Sequence, residues 1–196
     1  MPRTIVALLL AANLAGAASA EPFAHSSGEW REYHRDWLAS CPDRIIEDAA
    51  DYYGYSCFAS TGSAELNSAG LPAYKLTLIR NRLDGALDVA VTVAADGVTV
   101  DESRELVLSF GGEAPLQLDF SGDLETRFNT VNQYFISDPQ TRERLLGLMK
   151  DRNAVTLSVP VSGGGTREVR LSLRGVMASL DFMSTYARRV AQYQGD

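Results

Sequence analysis

The chain contains few of the residues that catalytic and metal sites use most often. Its 196 residues include two cysteines and two histidines. The sequence has no Gly-x-Ser-x-Gly motif, and no Gly-Lys-Ser/Thr follows the triple glycine at residues 163–165, which we interpret as a hairpin loop. These absences disfavour a conventional hydrolase and a phosphate-binding loop. We predict no cofactor and no metal ion.

The chain also lacks an excess of basic charge and, beyond residue 20, any long apolar run. Its formal net charge is −7 at pH 7, which disfavours binding of nucleic acid through a basic patch. No later segment approaches the run of about eighteen apolar residues that indicates a membrane-spanning helix. We therefore predict no nucleic-acid partner and no integral membrane segment in the mature form.

The first twenty residues have the three parts of an export signal. Arg3 supplies the basic start, residues 5–16 are uncharged and rich in Leu and Ala, and Ala18-Ser19-Ala20 supplies a small-x-small cleavage site. The apolar stretch is shorter than the roughly 20 residues that cross a bilayer. The pattern predicts a signal peptide at residues 1–20 and a periplasmic or secreted protein.

The two cysteines are Cys41 and Cys57. In an exported protein such a pair predicts one disulfide bond, because oxidising compartments preserve disulfides. The alternative is a reactive or metal-binding pair. The separation of the two residues is unlike that of a C-x-x-C motif, which favours the structural bridge.

The rest of the composition is that of a globular protein, with 45% hydrophobic and 22% charged residues. We predict a flexible lead-in at residues 21–28 and a single β-rich domain over residues 29–196. The apolar spacing in residues 29–39 favours a short helix, with a strand as the alternative. A second short helix is predicted after Pro42, over the acidic residues up to Asp51.

Alternation of apolar and polar residues is the strongest structural pattern in the chain, and short strands with frequent turns between them are typical of antiparallel sheets. The alternating segments are residues 75–78, 87–93, 106–110, 116–120, 155–161 and 169–173. The pattern predicts a mainly β fold, an antiparallel β-sandwich or barrel-like sheet. One inserted helix is predicted after Ser137 or Asp138, and a C-terminal amphipathic helix after Gly175.

The segment between the cysteines is the candidate partner-binding site. It contains Tyr52, Tyr53 and Tyr55, and aromatic side chains on a disulfide-tied segment are of the kind enriched in interfaces. Packing of these rings around the disulfide is the alternative interpretation. The acidic residues of the same segment lack the alternate spacing and central glycine of an EF-hand-like loop, which favours a solvated face over a Ca²⁺ site.

His34 has Glu32 and Asp36 as near neighbours in the sequence. A histidine beside carboxylates can act as a general base or a metal ligand. If the segment is a helix, however, residues one or two positions apart do not face one another. We therefore expect a solvent-exposed His34, no catalytic residue and no metal ligand.

Two stretches resemble the invasion-associated locus B family of exported bacterial proteins. The first is Trp37-Leu38-Ala39-Ser40-Cys41 followed by Cys57-Phe58-Ala59, and the second runs from Val169 to Phe182, where a strand leads into a closing helix. Residues 42–56 look inserted, and the second cysteine pair that the family often carries is absent. The resemblance implies a periplasmic or envelope β-rich protein, associated in pathogenic members with host-cell entry, and supplies no catalytic residue.

These features together predict a non-enzymatic envelope protein that binds another envelope component through an exposed surface. One alternative is a carrier that holds a small apolar ligand between the sheet and the closing helix. Another is a periplasmic hydrolase that uses His34 with a carboxylate. A large apolar cavity would favour the carrier, and a cleft that joins His34 to a carboxylate would favour the hydrolase.

Cleavage after Ala20 is expected to give a mature protein that begins at Glu21. Mass spectrometry of the N-terminal peptide, from protein isolated from its native host, checks this prediction. A peptide that still contains Met1 would contradict it.

Overall fold

The computed structural model describes residues 21–46, 52–127 and 130–193, with the backbone alone described for Tyr52 and residues 187–193. The predicted signal peptide lies outside these residues. In chain order the elements are β1 (Phe23–His25), β2 (Glu29–His34), β3 (Trp37–Pro42), a 3-10 turn (Tyr52–Gly54), β4 (Ser56–Gly62), β5 (Tyr74–Asn81), β6 (Leu87–Val93), β7 (Leu106–Ser109), β8 (Leu116–Leu118), β9 (Leu124–Glu125), β10 (Gln133–Ile136), α1 (Pro139–Asp151), β11 (Ala154–Pro160), β12 (Thr166–Ser172) and α2 (Val176–Tyr193).

The strands form two antiparallel sheets. The larger sheet has the order β1-β2-β3-β4-β5-β6-β10-β9, and the smaller has the order β12-β11-β7-β8. From β1 to β6, each strand of the larger sheet pairs with the next strand in the sequence, and β9 pairs with β10. The triple glycine joins β11 to β12, as predicted, with Pro160 opposite Thr166 at the end of the ladder.

The inner faces of the two sheets and one side of α2 share a continuous core. Side chains alternate across a strand, so the central strands contribute about every second residue to this core. The fully buried members from both sheets include Leu76, Leu78, Val89, Val91, Leu106, Leu108, Leu118 and Leu157. This arrangement confirms the predicted mainly β, sandwich-like fold with two helices.

Both helices start where the sequence places them. Asp138 caps α1, because its Oδ2 accepts a hydrogen bond from the Thr141 amide at 2.7 Å. This bond lowers the pKa of Asp138. Gly175 precedes α2 with φ of 112°, and a Cβ there would lie 1.8 Å from the His34 carbonyl oxygen, so only glycine fits. No helix within the described residues is long and apolar enough to cross a membrane.

The helix predicted at residues 29–39 is wrong. This segment forms the antiparallel hairpin of β2 and β3, with Arg35 at φ 59° in its turn. Trp37 explains the choice, because its side chain is fully buried and its Nε1 donates to the Ser172 carbonyl at 3.0 Å. The ring thus joins the larger sheet to the end of β12, which a helix would not allow in this place.

The lead-in predicted at residues 21–28 contains an edge strand. β1 pairs with β2 in the register Phe23↔Arg31 and His25↔Glu29. The short strand ends at a turn in which the Gly28 amide donates to the His25 carbonyl at 3.0 Å. The larger sheet therefore begins earlier in the chain than the alternation predicts.

The predicted disulfide is present. Cys41 on β3 and Cys57 on β4 are bonded, with their Cα atoms 4.2 Å apart. Both side chains are fully buried in the shared core. The helix predicted after Pro42 does not form over residues 43–46, and the rest of that predicted helix lies outside the described residues.

Arg82 holds both ends of the segment between the cysteines. Its Nε donates to the Tyr55 carbonyl at 3.3 Å, and its two terminal nitrogens donate to the carbonyls of Pro42 at 2.9 Å and Arg44 at 3.1 Å. The residue is 9% exposed, and its burial lowers its pKa. One planar guanidinium thus binds carbonyls on both sides of the loop, a geometry that the lysine ammonium does not reproduce.

Replacement of Arg82 by Met is expected to lower the free energy of unfolding by about 2–4 kcal/mol, because it leaves carbonyls unpaired while keeping the apolar stem. Urea unfolding measures the change. Hydrogen exchange at the Ile46 amide, which donates to the Gly54 carbonyl at 2.9 Å, should accelerate as well. The control is Arg170→Met on an exposed face of β12. Equal effects of the two substitutions would contradict the role given to Arg82.

Candidate functional site

The larger sheet presents aromatic side chains on the face that points away from the core. Tyr33 lies on this outer face, because side chains alternate along β2 and the adjacent His34 faces α2. Phe23 pairs with Arg31 and so shares the face of Tyr33. Phe58 also lies there, since its neighbours Cys57 and Ala59 point into the core. We call Phe23, Tyr33, Tyr53 and Phe58 the outer aromatic surface.

These rings form two stacked pairs. The ring centroids of Phe23 and Tyr33 are 6.0 Å apart, and those of Tyr53 and Phe58 are 5.0 Å apart. Phe23, Tyr33 and Tyr53 are 38%, 54% and 51% exposed. In the strand register Arg31, Ser40 and Phe58 form one row across β2, β3 and β4, which spans about 10 Å at the usual strand spacing. The two pairs therefore lie on one face of the sheet, with β3 between them.

A second apolar cluster supports the middle of the outer face. Ile79, Ala90 and Phe135 are buried there, with Tyr55 and Phe58 packed against them. This cluster is separate from the shared core. Phe58 packs against this cluster, whereas Tyr53, which stacks on Phe58, remains exposed to solvent.

Arg127 covers the far end of this cluster. Its guanidinium lies 4.7 Å from the centroid of the Phe135 ring and pairs with Asp88 at 2.8 Å and with Glu125 at 2.5 Å. Burial acts to lower the pKa of Arg127, but the hydrogen bonds to Glu125 and Asp88 raise it overall. The cation is therefore held in place over the ring, a favourable cation–π arrangement.

The three tyrosines of the candidate site have different surroundings. Tyr53 is exposed and belongs to the outer aromatic surface. Tyr55 is half-buried and packs against the outer cluster, the name we use for Ile79, Ala90 and Phe135, rather than around the disulfide. The side chain of Tyr52 lies outside the described residues. Of this group, Tyr53 is the residue that the described structure places at an accessible surface.

His34 is not exposed, contrary to the prediction. Its side chain is 8% exposed, and its Nδ1 lies 3.7 Å from Oε1 of Glu32, whose side chain is 10% exposed. The physical reason is the strand itself, because residues two positions apart on a strand share a face whereas on a helix they do not. The hairpin therefore brings together the histidine and the carboxylate that a helix would separate.

This pair lines an open cleft between β2 and α2, with a volume of about 320 Å³. The Phe182 ring meets His34 edge-on, with centroids 5.9 Å apart. The Tyr186 ring is tilted against that of Phe182, with centroids 4.4 Å apart, and stacks on Trp30 at 6.2 Å. The cleft is lined by Pro22, Glu32, His34, Ala178, Asp181, Phe182, Thr185 and Tyr186. Its lining thus combines the rings of Phe182 and Tyr186 with the carboxylates of Glu32 and Asp181.

The cleft lies where the carrier alternative places an apolar cavity, but its chemistry differs. Val176, Leu180 and Met183 of α2 are buried in the shared core and fill the space under the helix. What stays open is lined partly by Glu32, His34 and Asp181. Ionisable groups of this kind do not suit a purely apolar ligand.

Within the described residues, no group of three or more histidine, cysteine, aspartate or glutamate side chains has a metal-binding arrangement. Glu47, Asp48 and Asp51 of the acidic run lie outside those residues. Asp36 accepts hydrogen bonds from Ser172 Oγ at 2.6 Å and from Arg174 Nε at 3.0 Å. These two bonds lower the pKa of Asp36, which acts as a tie between the β2–β3 turn and the end of β12.

Phe23 and Tyr33 are not among the candidates that the sequence identifies. The signal was present as a strand alternation of Glu29, Arg31 and Tyr33 against Trp30, Glu32 and His34. Aromatic residues occur in both of these rows, so neither row is the plainly apolar one. The helical interpretation of the same residues concealed the two faces.

Comparison with known proteins supports the fold. No protein-family model matches the chain, and no curated protein matches it. Among solved structures, the chain is similar to the crystal structure of invasion associated protein B from Bartonella henselae, with a TM-score of 0.53 and 15% sequence identity. The match covers 81% of this chain and 98% of that one. The resemblance inferred from the cysteine and C-terminal motifs is thus supported as a likeness of structure, and the disulfide is consistent with an exported protein.

Proposed function

We propose that this chain is an exported, non-enzymatic binding protein that contacts a protein component of the cell envelope through the outer aromatic surface. The observation that carries the proposal is the grouping of Phe23, Tyr33 and Tyr53, all exposed, on one face of one sheet. Aromatic residues are enriched at the centres of interfaces, where they bury large areas. Single exposed apolar residues scattered over a surface are common and indicate no binding site, whereas a group of exposed rings on one face does.

The support beneath these rings strengthens the proposal. Phe23 and Tyr33 lie on paired strands, and Tyr53 stacks on Phe58, which packs on the outer cluster. Arg82 and the disulfide hold the two ends of the segment that contains Tyr53. Rings that are already fixed lose little conformational entropy when a partner covers them.

Export and location are part of the same proposal. The signal-like residues 1–20, the buried disulfide and the likeness to invasion associated protein B support a periplasmic or secreted protein. A link to host-cell invasion rests on the name of that similar protein alone. We include host-cell invasion in the proposal as the process in which the bound envelope component would take part.

The hydrolase alternative is favoured by one observation, the contact between His34 and Glu32 in a cleft. A general base needs the group that it deprotonates within about 2.6–3.2 Å. Among the described residues, no group makes a hydrogen bond with Nε2 of His34. The nearby Thr185 hydroxyl donates to the Asp181 carbonyl at 2.9 Å. Binding therefore agrees better with this geometry than hydrolysis does.

Site-specific photocrosslinking in intact cells tests the proposal. A benzophenone amino acid placed at Tyr33 and, separately, at Tyr53 should yield adducts with the same envelope protein, identified by mass spectrometry. The control position is Leu71, which is 57% exposed, precedes β5 and is not part of the outer aromatic surface. The combined substitution Tyr33→Ala and Tyr53→Ala should lower affinity for that protein at least about tenfold. Its thermal midpoint should change by no more than about 3 °C.

Two results would contradict the proposal. One is an adduct that forms equally from Leu71, or different adducts from Tyr33 and Tyr53. The other is unchanged capture in the double variant while His34→Ala alone abolishes the cellular phenotype, which would favour the enzyme.

A further inference from the structure

His34 has a buried nitrogen without a hydrogen-bond partner. Its side chain is more than nine-tenths buried, and Nε2 makes no hydrogen bond within the described part of the chain. A buried polar atom left in this way destabilises the folded protein. Such atoms are uncommon in folded proteins and call for an explanation. Because the ring lines the cleft between β2 and α2, a ligand in that cleft is the explanation that we develop.

The contact with Glu32 determines what this nitrogen offers. Nδ1 faces the Glu32 carboxylate at 3.7 Å, and an ionised carboxylate only accepts hydrogen bonds. In the neutral imidazole, this neighbour favours the tautomer with its proton on Nδ1. Nε2 then has a lone pair and acts as an acceptor. A group that satisfies it must be a hydrogen-bond donor.

The walls of the cleft select a donor with positive charge. Asp181 is exposed at the rim on α2, and Glu32 lies at the base. Phe182 and Tyr186 supply ring surface on which a cation is attracted. The described histidine, aspartate and glutamate side chains form no group of three that could hold a metal ion. An organic cation therefore suits the cleft better than a metal ion does.

We propose that the cleft between β2 and α2 binds a guanidinium or ammonium group, which donates to Nε2 of His34 and pairs with the Asp181 carboxylate. Glu32 acts as a positioning residue that orients the imidazole. A volume of about 320 Å³ is at the lower end of small-molecule pockets and suits a group the size of one basic side chain. The site lies on the side of β2 opposite to Tyr33, so it is separate from the outer aromatic surface.

Entry of the cation requires a small movement of the aromatic wall. Nε2 is shielded from solvent, and the neighbouring ring is that of Phe182, at 5.9 Å between centroids. A planar guanidinium can replace part of this ring edge against the imidazole and can stack on the Tyr186 ring. Binding should therefore shift the resonances of Phe182 together with those of His34.

The experiment is a titration of the full-length mature protein at about pH 8 with n-butylguanidinium and with its uncharged isostere n-butylurea, followed by calorimetry. Guanidinium should bind at least about tenfold more tightly than the urea, since only the former has a charge to pair with Asp181. In a long-range proton–nitrogen correlation spectrum, Nε2 of His34 should shift on binding. His25, which is half-buried on β1 and whose Nδ1 lies 2.6 Å from Ser27 Oγ, is the internal reference and should not shift.

Three variants test the assigned roles. His34→Phe, which keeps a ring but removes the acceptor, should weaken guanidinium binding at least about tenfold, and His34→Gln, which restores a polar acceptor, should recover part of the loss. Asp181→Asn should weaken binding of the guanidinium and leave that of the urea unchanged. The matched control is Glu143→Gln, an exposed acidic residue on α1, which should have no effect.

The source of the cation is distinguished with a capped tripeptide that has arginine at its centre and its citrulline counterpart. Equal affinity for n-butylguanidinium and the arginine peptide would support a free small cation as ligand, and binding of the peptide alone would support a basic side chain of a partner. The proposal would be overturned if neither n-butylguanidinium nor the arginine peptide binds, if the uncharged counterparts bind equally well, or if His34→Phe keeps full affinity. Photocrosslinking from Tyr33 and Tyr53 is independent of these outcomes.

Discussion

Burial of one row of side chains from every central strand, between the two sheets, is the interaction on which the rest of the structure depends. The row begins at Trp37, continues through Leu76 and Val91 in the larger sheet and meets Leu108 and Leu157 from the smaller one. Because the side-chain period of a strand is two, a register shift by one residue would move the whole row to solvent. Burial of this row therefore fixes which side chains of β2 to β6 face outward.

The outer face is thus free to serve another purpose. Tyr33 and Phe58 are outside the core because His34 and Cys57 are on its side. A sheet of a sandwich normally shows polar residues on its solvent face, whereas this one carries Ile79 and Phe135 in a second buried cluster, with Tyr53 above Phe58. Arg82 and the disulfide then fix the two ends of the segment between the cysteines at the end of the same sheet. Because its segment is held at both ends and its ring stacks on Phe58, Tyr53 has a fixed position relative to the core.

Much of this fold follows from local patterns in the sequence. The strands around Leu76, Val89 and Leu157 are predictable because their outer rows are mostly polar and leave a clear alternation, and α1 is predictable from the cap at Asp138 and the following proline. The hairpin of β2 and β3 is not, because its aromatic residues occupy both faces and mimic helical spacing. The His34–Glu32 contact depends on that hairpin and on the packing of α2. Similarly, the role of Arg82 requires knowledge of three carbonyls that are up to 40 residues distant in the chain.

The central claim is that the inner face of the larger sheet holds the fold while the outer face is covered by a partner. Hydroxyl-radical footprinting in intact cells and on the purified protein, read at single side chains by mass spectrometry, tests it most directly. The account predicts that Phe23, Tyr33 and Tyr53 lose most of their reactivity in cells, that Leu66 and Leu71 keep theirs, and that Trp37 is unreactive in both samples. Equal reactivity of the three outer rings in cells and in the purified protein would contradict it.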